Sequence, residues 1–328
     1  MMTADELLGL LQKAPDSAPP ERPWYIGLLL GVAGWFAGVF VLGFVGAVLH
    51  AVPLFAGLVL VAAAWGLYKV DREGAFVSQL ALALSIAGQF ALLFGIYEAL
   101  FKGTPDSIAT LAFIALVIQL ALALVMPNRL HRSMSTLFAC IAWAAFVRYG
   151  LWDQPFWAGL GAKSKLPPIS PGMAIAAWFV AWAPAGIGLY LLVRKEAAWM
   201  AAGRAELARP VATGLILGLA FATLLSQPFE SLTLFGQAPR VGWLALWPVL
   251  SALASLGALA AAFAFGSRGL MGLAVLAALL HVSHFYYAIG GSLLVKSVLM
   301  LAMGGACVAA ARMLRHPHPG PLPGEREK

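Results

Sequence analysis

From Trp24 to Leu314 the chain alternates long apolar stretches with short polar breaks. The hydrocarbon core of a bilayer takes ~20 apolar residues per helix. Backbone N–H and C=O groups find no water there, so each stretch must close its own hydrogen bonds as a helix. The pattern predicts ten helices: Trp24 to Leu49, Ala51 to Tyr68, Ala75 to Glu98, Ile108 to Met126, Ser135 to Trp152, Met173 to Val193, Val211 to Glu230, Gly242 to Phe265, Gly269 to Tyr287 and Ser292 to Met313. Only His50 and Pro53 mark the first break, and only Ala288 to Gly291 the last. Fusing either pair gives an eight- or nine-span alternative.

Basic residues orient the spans, because Lys and Arg accumulate in cytoplasmic loops. With the N-terminus inside, cytoplasmic segments hold Lys13, Arg22, Lys69, Arg72, Arg129, Arg132, Arg194, Lys195, Arg204, Arg209, Arg268, Arg312, Arg315, Arg326 and Lys328. Outer loops hold only Lys102, Lys163, Lys165 and Arg240. The expected class is therefore an all-α polytopic membrane bundle with both termini cytoplasmic, placed in a bacterial inner membrane. Residues 1–23 form a cytoplasmic segment, 24–314 the bundle, and 315–328 a Pro-rich tail that cannot pack. The first 20 residues lack the basic start and small-residue cleavage site of a signal peptide.

Composition agrees. The chain is 62% hydrophobic and 11% charged, the latter well below the ~25% of soluble proteins, and its mean hydropathy is +0.87. The net charge of +7 follows from the loop bias and carries no basic run that would suit nucleic acid. Cys140 and Cys307 sit in different apolar stretches and read as small hydrophobes. Gly27, Gly31, Gly34 and Gly38 in the first helix predict close helix packing within the bundle. Two connections exceed a turn. Asp153 to Gly172 is a Pro-rich outer loop, and Arg194 to Arg209 suits a short inner interfacial helix or an extension of the sixth span.

Ionisable groups inside spans are costly and so mark function. They are Glu98, Arg148, Glu230, His281, His284 and Lys296, accompanied by Gln89 and Gln227. On the topology above, the six ionisable groups and Gln227 fall in the outer part of the bilayer. Acids and bases balance there, predicting an outward polar cluster of Glu98, Arg148, Gln227, Glu230, His281, His284 and Lys296. Independent contact of each residue with headgroups is the simpler alternative. Gln79, Gln119, Ser251 and Ser255 lie deeper and suit interhelical hydrogen bonds. No chain of buried carboxylates resembles a pump's proton path. No phosphate loop, zinc motif or nucleophile elbow occurs, so neither cofactor, metal nor catalytic residue is expected.

Phe285, Tyr286 and Tyr287, followed by Leu293, Leu294, Lys296 and Ser297, then Gly304 or Gly305 and Arg312, carry a resemblance. The stretch 266–315 resembles the end of a family of uncharacterised bacterial multi-pass proteins, a domain of unknown function associated with proteins named for a GDYXXLXY sequence. The resemblance implies outer-interface aromatics at residues 285–287 and a second, outward-facing envelope protein as partner. It implies no activity. Three functions follow: a scaffold for that partner, a small-solute or ion transporter with an outward vestibule, and, least supported, a lipid-modifying enzyme using His281, His284 and Glu230.

Overall fold

The computed structural model describes residues 24–49, 52–70, 75–102, 107–151, 171–222, 246–288 and 292–313. All regular structure among them is helical. The helices are α1 (Trp24–Leu49), α2 (Pro53–Val70), α3 (Ala75–Ile96), α4 (Ser107–Val125), α5 (Arg129–Phe146), α6 (Pro171–Arg194), α7 (Glu196–Ala201), α8 (Ala205–Leu217), α9 (Leu246–Ala264), α10 (Arg268–Ala288) and α11 (Leu293–Met313). α3, α5 and α8 each run on into a π-helical turn, at Tyr97–Phe101, Val147–Leu151 and Gly218–Ala222. Among the described residues, five helical stretches are long and apolar enough to cross a membrane: Pro53–Val70, Phe76–Phe101, Ile108–Val125, Arg129–Leu151 and Ile175–Arg194.

Two helices start six residues ahead of the expected boundary: α8 at Ala205 and not at Val211, and α5 at Arg129 and not at Ser135. Asn128 explains the start of α5. Its Oδ1 accepts the backbone N–H of His131 at 3.0 Å, satisfying one of the donors that a helix start leaves open. The polar run from Arg129 to Thr136 is thereby helical, and its side chains take fixed faces. The segment after α6 is a separate six-residue helix, α7, followed by Gly203 at φ 68°. The tail 315–328, the segment 1–23 and most of the outer loop lie outside the described residues.

The chain divides into two compact units, residues 1–139 and 140–328, with the division inside α5. Unit 1 is built on α2 against α3, with α1 also on α3. These helices meet backbone to backbone. A Cβ at Gly57 would lie 2.6 Å from Leu92 N and 2.7 Å from Gly88 O, one at Gly88 2.9 Å from Gly57 O, and one at Gly95 2.6 Å from Leu54 N. On α1, a Cβ at Gly34 would lie 2.8 Å from Phe76 O, so this glycine face packs inside the unit. Trp35 Nε1 donates to Gln79 Oε1 at 3.1 Å, tying α1 to α3. Lipid tails are as apolar as the helices, so close packing and interhelical hydrogen bonds must hold such a unit together. Leu60, Ala64, Tyr68, Leu84, Leu122 and Met126 form its apolar core. Unit 2 is built on α9 against α10, with α6 and α8 against α9.

Candidate functional site

Unit 1 buries a polar centre on His131. The ring is 1% exposed. Its Nε2 lies 2.7 Å from Ser85 Oγ on α3, and its Nδ1 lies 3.2 Å from Ser135 Oγ. Ser135 is four positions along α5 and therefore on the same face. Gln89 Nε2 donates to Ser85 Oγ at 3.1 Å. Gln119 Nε2, on α4, donates to Gln89 Oε1 at 2.6 Å. A single chain of side-chain hydrogen bonds thus joins α5, α3 and α4. All five residues are buried.

The roles are constrained. A neutral imidazole has one N–H, so one serine donates to the ring while the other accepts from it. Ser85 also accepts from Gln89. The Gln89 amide is oriented from both ends, with its nitrogen toward Ser85 and its oxygen toward Gln119. Tyr68, at the end of α2, sets its ring edge-on to the imidazole with centroids 5.8 Å apart. At this centre Tyr68 Oη and Gln119 Oε1 are buried and have no hydrogen-bond partner among the described residues. Unsatisfied groups of this kind are uncommon in native interiors and are met by bound water, by a ligand or by local strain. The five bonded residues and Tyr68 include no carboxylate or permanent cation, so they suit a species held by hydrogen bonds and not by charge.

Unit 2 holds a smaller polar centre on His281. This residue is fully buried, and its Nε2 lies 3.0 Å from Ala220 O in the π-helical turn after α8. A carbonyl only accepts, so in this bond the proton sits on Nε2. Ser255 Oγ donates to Ser251 O at 3.0 Å and lies 3.5 Å from Ala220 O. The widened turn offers a carbonyl that neighbouring side chains on α9 and α10 can use. Gly218 makes room for the turn, since a Cβ there would meet Cys140 Sγ at 2.9 Å. Cys140 is buried and free.

The other residues expected in an outer cluster are placed as follows. Glu98 lies in the π-helical turn after α3, with Oε2 2.8 Å from Lys102 Nζ. Accepting that hydrogen bond and adding its negative charge, Glu98 raises the ammonium of exposed Lys102 above its ordinary pKa. Lys296 sits in the first turn of α11, with Nζ 4.9 Å from the ring centroid of Tyr286. Arg148 lies in the turn after α5, and His284, Phe285 and Tyr287 lie on α10, but their side chains fall outside the described residues. Gln227 and Glu230 fall outside altogether. Of the expected set, the described contacts therefore join Tyr286 to Lys296. Among the described residues no group of three His, Cys, Asp or Glu could hold a metal.

Sequence reasoning missed Ser85, Tyr68 and His131. Arg129 and Arg132 drew the start of α5 into a loop. The available signal was Asn128 as a helix cap, which would have placed His131 and Ser135 one turn apart on one face.

Long apolar helices with buried polar side chains that bond across helices define a helical protein of membrane type. The chain belongs to the family described as domain of unknown function DUF4401, whose model matches residues 23–247, more than half of its length. That match ends before the C-terminal stretch 266–315 on which the resemblance rested, and it does not bear on the link to GDYXXLXY proteins. No curated protein and no solved structure matches the chain.

Proposed function

We propose that the protein is a multi-pass component of a bacterial inner membrane, with ten spans and both termini cytoplasmic, that handles a small uncharged solute at the His131 centre. The observation that supports this reading most is the pair of buried atoms, Tyr68 Oη and Gln119 Oε1, without hydrogen-bond partners among the described residues, in and beside the hydrogen-bonded network of Ser85, Gln89, His131 and Ser135. Hydroxyl, amide and imidazole groups together offer both donors and acceptors, and no charge that would select an ion. The reading is passage or binding: Ser85 and Ser135 both contact the His131 ring, and all three are buried. The test is osmotic swelling of proteoliposomes in a panel of uncharged polar solutes, glycerol and urea included. The reading expects faster swelling than in empty vesicles for at least one solute, and loss of that excess in Gln119→Leu. Equal rates in protein-bearing and empty vesicles across the panel would remove it.

A second reading is a scaffold that docks an outward-facing envelope protein, in keeping with the expected association with a second envelope component. The exposed Lys102–Glu98 pair and the contact of Lys296 with Tyr286 favour it, because both put charge at helix ends that the loop bias assigns to the outer side. Under this reading Glu98, Arg148, Gln227, Glu230, His284 and Lys296 of the expected outer cluster form the docking surface, and His281, fully buried against Ala220 O, takes no part in it. Purification of the tagged protein in mild detergent is expected to bring down one stoichiometric partner. Isolation without any such partner counts against it.

A further inference from the structure

A groove of about 550 Å3 lies in unit 2, within the ~300–1,000 Å3 range of sites that take a small organic ligand. Its walls include Trp178, Phe179, Trp182, Ile187 and Tyr190 of α6 and Leu219 of the turn after α8, completed by small residues of α9. Among the described residues, no charged side chain lines it. Phe179, Ile187 and Tyr190 are exposed, so the groove opens along α6, one of the five stretches fit to cross a membrane.

One end of the groove is basic. Arg194 Nη1 donates to the hydroxyl of Tyr190 at 3.1 Å, and the exposed Lys195 follows it. Of the neighbouring cations, Arg209 meets the Glu196 carboxylate at 3.2 Å; Arg204 lies over the Trp199 ring at 5.9 Å, and Arg194 lies likewise over the Tyr190 ring at 6.0 Å. Arg194 meets no carboxylate among the described residues, and most of its guanidinium donors remain for an anion. The arrangement is an apolar channel facing hydrocarbon, with a guanidinium at its mouth. A free phosphate would use the guanidinium and leave the groove empty, whereas a neutral lipid would use the groove and leave the guanidinium unmatched.

We infer that unit 2 binds an anionic phospholipid, with an acyl chain along the groove of α6 and α9 and the headgroup phosphate on Arg194. Arginine is suited to this by its fork of parallel donors. Lys195 supplies a second positive charge in the headgroup layer, where anionic lipids concentrate. The inference needs the chain to lie in a bilayer but is independent of the His131 centre, and the swelling assay does not probe it.

The test is native mass spectrometry of the full-length protein in mild detergent with equimolar phosphatidylglycerol and phosphatidylcholine of identical chains. The wild type is expected to retain phosphatidylglycerol several-fold over phosphatidylcholine. Arg194→Gln, which can still bond Tyr190, is expected to bring the ratio to near one. Gly257 lines the groove, and a Cβ there would meet nothing within 4 Å. Gly257→Leu is therefore expected to fold, fill the groove and reduce retention of both lipids; melting in detergent, measured in parallel, checks the fold. Excess inorganic phosphate is expected to displace neither lipid. Equal retention of the two lipids by the wild type would overturn the inference. So would a ratio unmoved by Arg194→Gln, or retention unmoved in folded Gly257→Leu.

Discussion

His131 Nε2 and Ser85 Oγ lie 2.7 Å apart although 46 positions separate them in the chain. The bond ties the first turn of α5 to the middle of α3. It does so where both partners are buried and where Gln89 and Gln119 extend the same chain of bonds into α4. Lipid wets every apolar face alike, so apart from the close glycine contacts hydrophobicity cannot distinguish one helix face from another. A specific polar contact can, and this one sets which faces of three helices meet.

Ser85 and His131 are expected to be energetically coupled. In a double-mutant cycle of Ser85→Ala and His131→Ala, thermal melting in detergent should give an interaction of about 0.6 kcal/mol, the average for hydrogen bonds between membrane helices, and at most about 1.7 kcal/mol. Additive single-mutant effects would show that the two side chains are neighbours without mutual dependence.

Gly88 is expected to tolerate no larger side chain. A Cβ there would meet Gly57 O and Val61 Cγ2 at 2.9 Å, and an added side chain must push α2 and α3 apart. Gly88→Leu should cost about 1–3 kcal/mol or more and lower the amount of protein in the membrane. Gly66 is the control. It lies on the same α2 helix, but a Cβ there meets nothing within 4 Å, and Gly66→Ala should be neutral or stabilising by about 0.5–1 kcal/mol. Similar losses for both variants would count against the close backbone packing.

Lys296 is expected to act through the Tyr286 ring. Both residues are only partly buried, so the stacking is worth about 0.5–1 kcal/mol. Tyr286→Leu and Lys296→Met should each lower the melting temperature slightly, and the double variant should be no worse than either alone. If Lys296→Met is far more damaging than Tyr286→Leu, the ammonium has a second and stronger partner.

The orientation of the bundle is expected to follow the basic loops. Reporter fusions after Arg72 and Arg204 should report the cytoplasm, and one after Lys163 the outside. An external signal at Arg204 would reverse the topology of unit 2.

Helix was legible because it is a local property. An unbroken apolar run in lipid has one way to satisfy its backbone, so Trp24–Leu49 and Ala75–Ile96 were readable from composition alone. The glycine face of α1 and the bonding role of Gln79 and Gln119 were equally plain, since small and amide residues in such helices have few other uses. What hydropathy could not say is which polar side chains find one another. His131 sits beside Arg129 and Arg132, and by sequence the three read as one hydrophilic loop. The Asn128 cap makes them a helical turn, and the face that results turns His131 inward onto Ser85 and edge-on to Tyr68. Lys296 shows the complementary case. Depth in the membrane was inferred from its apolar neighbours, but its described contact, the ring of Tyr286, depended on how α10 and α11 meet. Depth is set by the length of one helix, whereas a partner is set by the relative rotation of two. That rotation is a matter of packing, which for this chain only the tertiary structure decided.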